Sequence, residues 1–133
     1  MATQTIIDSP SASLVFHAES RIVHHKLCKD IDSKTLRQVL NSGVQLLKDQ
    51  QATKWLSDNR EINAHSAEDT EWINTQWLPN AIAAGWKYWA LVVPDDFVAR
   101  LNMTEFVDSF YAKGIRILVF TDLDKATKWL EGV

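Results

Sequence analysis

The spacing of the apolar residues changes along this chain, and the changes predict the order of its strands and helices. Residues Ser13–Glu19 alternate between apolar and polar side chains, and Arg21–Cys28 do the same after a short break. Two alternating runs with so little between them predict an antiparallel β-hairpin. From Asp30 to Gln51 the apolar residues recur every three or four positions instead, which predicts an amphipathic helix.

Three further strands are predicted, and each is followed by a helical pattern. They span Thr53–Arg60, Lys87–Pro94 and Arg116–Thr121. The near-continuous apolar run within the second of them is typical of a strand covered on both faces. The resulting order, ββαβαβαβα, predicts a single-domain α/β fold. Its sheet should be mostly parallel and five-stranded, with right-handed crossovers and the antiparallel hairpin at the N-terminal end.

Composition sets the domain limits and excludes several classes of protein. The length of 133 residues suits one domain. Residues 1–11 are small and polar and contain Pro10, so we expect a flexible N-terminal arm, with 12–133 as the domain. The net charge of −3 and the scattered basic residues argue against a nucleic-acid partner. The single Cys28 cannot form an intramolecular disulfide and fits a reducing compartment.

The sequence also gives no sign of a membrane or secreted protein. No apolar run approaches the ~20 residues that a transmembrane helix needs. The N-terminus lacks the basic and then apolar design of a signal peptide. We therefore expect a cytoplasmic protein without a transmembrane segment.

Three positions predict local features of the helices. Gly43 lies on the apolar stripe of the first helix, where it should permit close packing on the sheet. Pro79 cannot donate a backbone hydrogen bond, so the helix that contains it should kink or break near Trp77–Leu78. Gly85 is placed to end that helix in a left-handed conformation.

The element order and five short segments resemble those of one family, and the segments are Lys54–Arg60, Glu71–Ile73, Trp77–Ala81, Val92–Pro94 and Ala126–Leu130. The chain is similar to STAS domains, the family of sulfate-transporter tails and anti-sigma-factor antagonists, and in particular to small bacterial STAS-like proteins. The resemblance covers roughly residues 13–131 and implies a near-sequential strand order wound as a right-handed β-α superhelix. It implies a non-enzymatic interaction or regulatory module.

Ser66 is the residue at which this resemblance bears on regulation. In the anti-sigma-factor antagonists, a serine at the start of the helix after the third strand is phosphorylated within an Asp-Ser-Ser-Gly-like motif. Here the helix start reads His65-Ser66-Ala67-Glu68 and lacks that motif. Glu68 and Asp69 would repel a phosphate on Ser66. We therefore favour a helix cap at Ser66 and keep phosphorylation as the alternative.

The carboxyl ends of the strands form the candidate binding face, because ligands of open α/β sheets bind there. Arg60 could bind an anion through two hydrogen bonds. The favoured alternative is that Arg60 pairs with Asp58, Glu61 or Asp95 and holds the loops together. The residues assigned to the candidate face are Asp58, Asn59, Arg60, Ser66, Trp72, Trp77, Asp95 and Asp122.

No catalytic, cofactor-binding or metal-binding residue is predicted. The sequence has no glycine-rich phosphate loop and no HExxH motif, and no nucleophile, base and orienting partner can be assembled. In the predicted hairpin His17 and His24 share one face as diagonal neighbours, while His25 points to the other. Two imidazoles without a third ligand at suitable spacing are a weak zinc signal.

The chain contains six tryptophans, and two classes of function remain open, depending on where these side chains lie. If all helices lay on one face of the sheet, then Trp55 or Trp89, or the neighbours Leu56, Ala90 and Val92, would form an exposed patch. Such a patch predicts self-association, for example a homodimer, or another protein partner. The chain would then be an interaction module. The alternative is a small-ligand binding protein for an apolar or anionic molecule, with Trp72 and Trp77 lining a pocket beside Pro79.

Overall fold

The computed structural model describes residues 3–62 and 65–133, which form one mixed sheet with helices on both of its faces. The strands lie in sequential order across the sheet. β1, β2 and β3 pair antiparallel, and the pairs from β3 to β6 are all parallel. The strands are β1 Thr3–Ser9, β2 Ala12–His17, β3 Ile22–Leu27, β4 Lys54–Asp58, β5 Tyr88–Val92 and β6 Arg116–Phe120.

Helices connect the successive parallel strands, and one more helix follows β6. One of them is interrupted by a π-helical turn at Ile73–Trp77. The helices are α1 Ser33–Gln50, α2 Ala67–Trp72, α3 Leu78–Ala83, α4 Asp95–Arg100, α5 Met103–Tyr111 and α6 Leu123–Glu131. The α/β class, the hairpin and the alternation of strands and helices after it are therefore confirmed.

The predicted count of five strands is wrong, because the sheet has six. Strand β1 occupies residues 3–9 of the stretch predicted as an N-terminal arm, while residues 1 and 2 lie outside the described residues. β1 is an edge strand whose side chains are mostly exposed, and its register shifts between Thr5 and Ile7. An exposed edge strand does not need an apolar face, so its sequence carries little of the alternation that marks the other strands.

Two layers of side chains cover the sheet. On one face, α1 and the helical segment that includes α3 pack around Trp55, which is fully buried. On the opposite face, α6 packs Ala126 and Leu130 against Leu56, Ala90 and Val92, which are also fully buried. The expected exposed patch is therefore wrong for Leu56, Ala90 and Val92, which α6 covers, and Trp55 is buried on the other face. The sequence predicted α6 correctly but did not show that it crosses to the opposite face.

The predictions at Gly43 and Gly85 are confirmed, whereas at Pro79 the helix does not break and continues through the π-helical turn. A methyl group at Gly43 would approach Trp55 Cζ2 and Cζ3 to 2.8 Å, so only glycine lets α1 lie this close to the sheet. The hydrogen bonding changes just before Pro79, where the amide of Leu78 donates to the carbonyl of Ile73 five residues back. Gly85 has a φ of 111°, in the left-handed region that favours glycine.

None of the helices in residues 3–62 and 65–133 is both long enough and apolar enough to cross a bilayer.

Candidate functional site

A cavity of about 650 Å³ opens at the carboxyl ends of the central parallel strands. It lies on the sheet face that α1 covers, and residues of α1, the π-helical turn and α4 contribute to its lining. This is where ligands of open α/β sheets bind. Its volume falls within the range of small-molecule sites.

Tryptophan side chains form much of the apolar wall. Trp86 lies between two others, with its ring 5.4 Å from that of Trp77 and 5.1 Å from that of Trp89. The indole N–H of Trp77 donates to the carbonyl of Leu40 at 2.8 Å, and that of Trp86 donates to the carbonyl of Tyr88 at 3.1 Å. Each indole is thus fixed by packing and by a hydrogen bond, so the wall is preorganised.

His25 lies in the lining and is 4% exposed. Its Nδ1 lies 3.0 Å from Trp55 Nε1, and its Nε2 lies 3.0 Å from Asn59 Oδ1. Burial lowers the pKa of His25 to about 4, against an ordinary value of 6.5. The imidazole is therefore neutral at pH 7, and both of its nitrogens are engaged.

Ser57 is the second polar group of the lining, and it is 3% exposed. Its hydroxyl oxygen accepts a hydrogen bond from Trp89 Nε1 at 2.9 Å. Ser57 and His25 are register partners on adjacent parallel strands, so both point to the cavity face of the sheet. Together with Asn59 they form what we call the polar floor of the cavity.

Arg60 belongs to a charged rim around the cavity, and it pairs with Asp58. Its Nε and Nη2 donate to the two carboxylate oxygens of Asp58, both at 2.9 Å. Burial alone would raise the pKa of Asp58, but the hydrogen bonds and charge of Arg60 outweigh it and hold the pKa below its ordinary value. The favoured alternative, pairing of Arg60 with a neighbouring carboxylate, is therefore confirmed for Asp58. The rim comprises Arg60, Glu61, Asp96 and Arg100.

Of the eight predicted face residues, three line the cavity, namely Asn59, Arg60 and Trp77. The structure places the other five outside the lining. Asp58 is buried beneath Arg60, and Trp72 packs its ring against the Arg37 guanidinium at 4.8 Å. Asp95 is exposed in the first turn of α4, where its neighbour Asp96 takes the cavity position. Asp122 caps α6 by accepting from the amides of Asp124 and Lys125.

Ser66 is the N-cap of α2 and accepts a hydrogen bond from the amide of Asp69 at 3.1 Å. The predicted cap is confirmed. The Asp69 carboxylate is held by the Ser33 hydroxyl at 2.7 Å and lies 3.4 Å from Arg37 Nη2. The hydrogen bond from Ser33, followed by those from Ser66 and Arg37, lowers the pKa of Asp69. Arg37 is the cation that lies near this cap, and it is already paired with the Asp69 carboxylate.

Removing the Ser66 hydroxyl tests the structural role of this residue. Ser66→Ala leaves the amide of Asp69 without its capping acceptor, and we expect a loss of about 1 kcal/mol in the free energy of unfolding. Urea denaturation followed by circular dichroism measures it. Ser66→Asp retains a capping carboxylate and should restore most of that loss. An unchanged stability in Ser66→Ala would contradict the capping role.

Sequence reasoning missed four important lining residues, which are His25, Ser57, Trp86 and Trp89. A usable signal existed, because alternation places Ser57 on the same face as Trp55, two residues before it. His25 was correctly set on the opposite face from His17 and His24. The pairing of Ser57 with Trp89 depends on side-chain orientation between two strands, and no spacing within one strand reports it.

His17 and His24 lie on the opposite sheet face, as predicted. Their nitrogens Nε2 and Nδ1 are 3.0 Å apart, and the rings are stacked at 5.2 Å. Burial lowers the pKa of both, that of His24 to about 4. Within residues 3–62 and 65–133, no three His, Cys, Asp or Glu side chains are grouped in a way that could hold a metal ion.

Comparison with known proteins gives no relative for this chain. No protein-family model matches it, and neither does any curated protein or solved structure. The resemblance to STAS-like proteins therefore stays a prediction.

Proposed function

We propose that this chain is a small-molecule binding protein that holds an apolar ligand in the cavity at the carboxyl ends of β3, β4 and β5. The observation that carries the proposal is the cavity itself, about 650 Å³ with indole walls and a small polar floor. Known ligand sites combine these properties, with apolar walls for affinity and a few fixed polar groups for orientation.

The hydrogen bonding of the floor favours binding over catalysis. A serine nucleophile needs a base within hydrogen-bond reach. His25 is the nearest imidazole along the sheet, but Trp55 and Asn59 occupy its two nitrogens. The Ser57 oxygen is in turn bonded to an indole N–H. The floor is thus arranged to present fixed dipoles to a ligand.

The interaction or regulatory module implied by the STAS-like resemblance remains the second candidate. Its sequence argument rested partly on an uncovered sheet face, and α6 covers the central residues of that face. The cavity therefore supports the binding protein more directly. The two functions are compatible, since a bound ligand could set the affinity for a partner.

Filling the cavity tests the proposed function. Acetylnaphthalene is an apolar bicyclic probe, and isothermal titration calorimetry should show one molecule bound per chain. Ile73 lines the cavity from the π-helical turn, so Ile73→Trp should weaken binding by about 10-fold or more through lost space. Thr75 lies on the same turn, is exposed and does not line the cavity, which makes Thr75→Trp the matched control.

Two results would contradict the proposal. One is the absence of any saturable heat with the probe or with a wider set of apolar molecules of similar size. The other is equal weakening by both tryptophan variants, because the probe would then bind somewhere other than the cavity. Tryptophan emission gives a second readout, since three of the six indoles line the site.

A further inference from the structure

Trp55, His25 and Asn59 are linked by two hydrogen bonds beneath the cavity, and Trp55 determines which atom donates in each of them. An indole N–H can only donate. Because Trp55 Nε1 lies 3.0 Å from His25 Nδ1, that nitrogen must accept. A neutral imidazole then carries its proton on Nε2, and Nε2 donates to the Asn59 oxygen at 3.0 Å.

The orientation of the Asn59 side chain follows. Its oxygen accepts from His25, so the amide group left to interact with a ligand is the NH₂ group, which has two donors. Asn59 lines the cavity, and among the described residues no hydrogen bond engages its Nδ2. The series of hydrogen bonds from Trp55 through His25 to Asn59 therefore leaves N–H donors for a ligand at this point of the floor.

Ser57 is oriented in the same sense by a second indole. Trp89 Nε1 donates to the Ser57 oxygen at 2.9 Å. The hydroxyl proton is then the group that Ser57 can direct to a partner, and no acceptor for it is found in the part of the chain that the structure describes. Two tryptophans on adjacent strands thus leave the floor with two donor groups that have no acceptor among the described residues, the Ser57 hydroxyl and the Asn59 amide.

We infer that the cavity selects apolar molecules that carry a hydrogen-bond acceptor oxygen, a carbonyl or a carboxylate, directed at Ser57 and Asn59. The inference rests on the proposed function and adds its ligand class. A protonated amine can only donate, so it could not accept from the Asn59 N–H or the Ser57 O–H and would leave these floor donors unpaired. A purely apolar ligand would leave the two floor donors without a partner, and buried unpaired donors weaken binding.

The rim fits the same class of ligand. Arg60 is bonded to Asp58 through Nε and Nη2, and no hydrogen bond among the described residues involves its Nη1. Because Arg60 lines the cavity, that guanidinium nitrogen is a further donor of the rim. The two rim carboxylates are both paired with cations, Glu61 with Lys26 at 2.9 Å and Asp96 with Arg100 at 3.6 Å.

Three naphthalene probes of nearly equal shape test the inference. Acetylnaphthalene offers a carbonyl oxygen, isopropenylnaphthalene replaces it with a methylene group, and naphthylethylamine, which is protonated at pH 7, replaces it with an ammonium group that can only donate. By calorimetry on the full chain we expect the ketone to bind about 10-fold more tightly than the alkene, and the amine most weakly. Ser57→Ala should reduce the ketone's advantage to about 3-fold. Ser109→Ala, on exposed α5, should leave it unchanged.

Infrared spectroscopy of the wild-type complex gives a readout that does not depend on a variant's folding. The carbonyl band of the bound ketone should lie at lower frequency than in hexane, because two donors polarise the bond. If the ketone and alkene bind equally and the band is not shifted, the donor floor is refuted while ligand binding stands. Tighter binding of the amine would refute it as well. If neither these three probes nor a wider set of apolar molecules of similar size binds, the proposed function itself fails, and the inference fails with it.

Discussion

Acidification from about pH 7 to pH 4 should lower the free energy of unfolding by about 3 kcal/mol through His25 alone. Burial depresses the pKa of His25 from 6.5 to about 4 in the folded chain. Between these two values the unfolded chain binds a proton that the native chain does not. The stabilisation is therefore complete above about pH 6.5, declines as the pH falls through this window, and is lost below about pH 4.

The surroundings of His25 explain why protonation is so unfavourable. The ring is 4% exposed, and a proton on Nδ1 would face the Trp55 N–H, which cannot accept. His24 lies close enough to lower the pKa further, whereas the hydrogen bond to Asn59 and the charge of Asp58 raise it less than burial lowers it. Because the pKa of His24 is lowered as well, the whole protein should lose more than the His25 share.

Urea denaturation at several pH values measures this loss, and His25→Gln isolates its source. Glutamine can still donate to Asn59 but does not titrate. The variant should be less stable than the wild type at pH 7, because Trp55 loses its acceptor, and it should lose about 3 kcal/mol less on acidification. His24→Gln is the matched variant on the other sheet face. A pH dependence unaffected by His25→Gln would show that His25 is not buried in its neutral form.

Much of the fold could be predicted from the sequence because periodicity reports burial on one side of an element. The predicted first helix and the hairpin lie where the apolar spacing placed them. β1 was missed for the same reason, since an edge strand with mostly exposed side chains leaves no apolar face to detect. The position of α6 could not be predicted, because its apolar stripe would look the same whether the helix packed on one sheet face or on the other.

Part of the candidate site could be predicted from its position along the chain. Asn59 and Arg60 come directly after a strand, so the rule for parallel sheets places them at the cavity. His25, Ser57 and Trp89 lie within three different strands and meet only through the register of the sheet. The polarity of the floor could not be predicted either, because it depends on which atoms of Trp55 and Trp89 reach which partners.

Gly43→Ala should destabilise the protein by about 2 kcal/mol or more, although alanine favours a helix by about 1 kcal/mol over glycine. The added methyl group would approach two ring carbons of Trp55 to 2.8 Å. The indole cannot move away easily. It is fully buried, its ring lies 5.3 Å from that of Trp77 and 5.8 Å from that of Trp86, and its N–H is bonded to His25.

The clash can be separated from other effects of the substitution by a double-mutant cycle. Trp55→Phe removes the ring carbons that the methyl group would meet, so Gly43→Ala should cost less than half as much in that background as in the wild type. Gly132→Ala is the control, because its methyl group would lie 3.7 Å from the nearest atoms and its φ of −94° suits alanine. Chemical denaturation of the five proteins measures all of these differences. If Gly43→Ala cost the same with and without the indole, α1 would not be held against Trp55. The orientation of Trp55 towards His25, and with it the donor floor of the cavity, would then lose its structural basis.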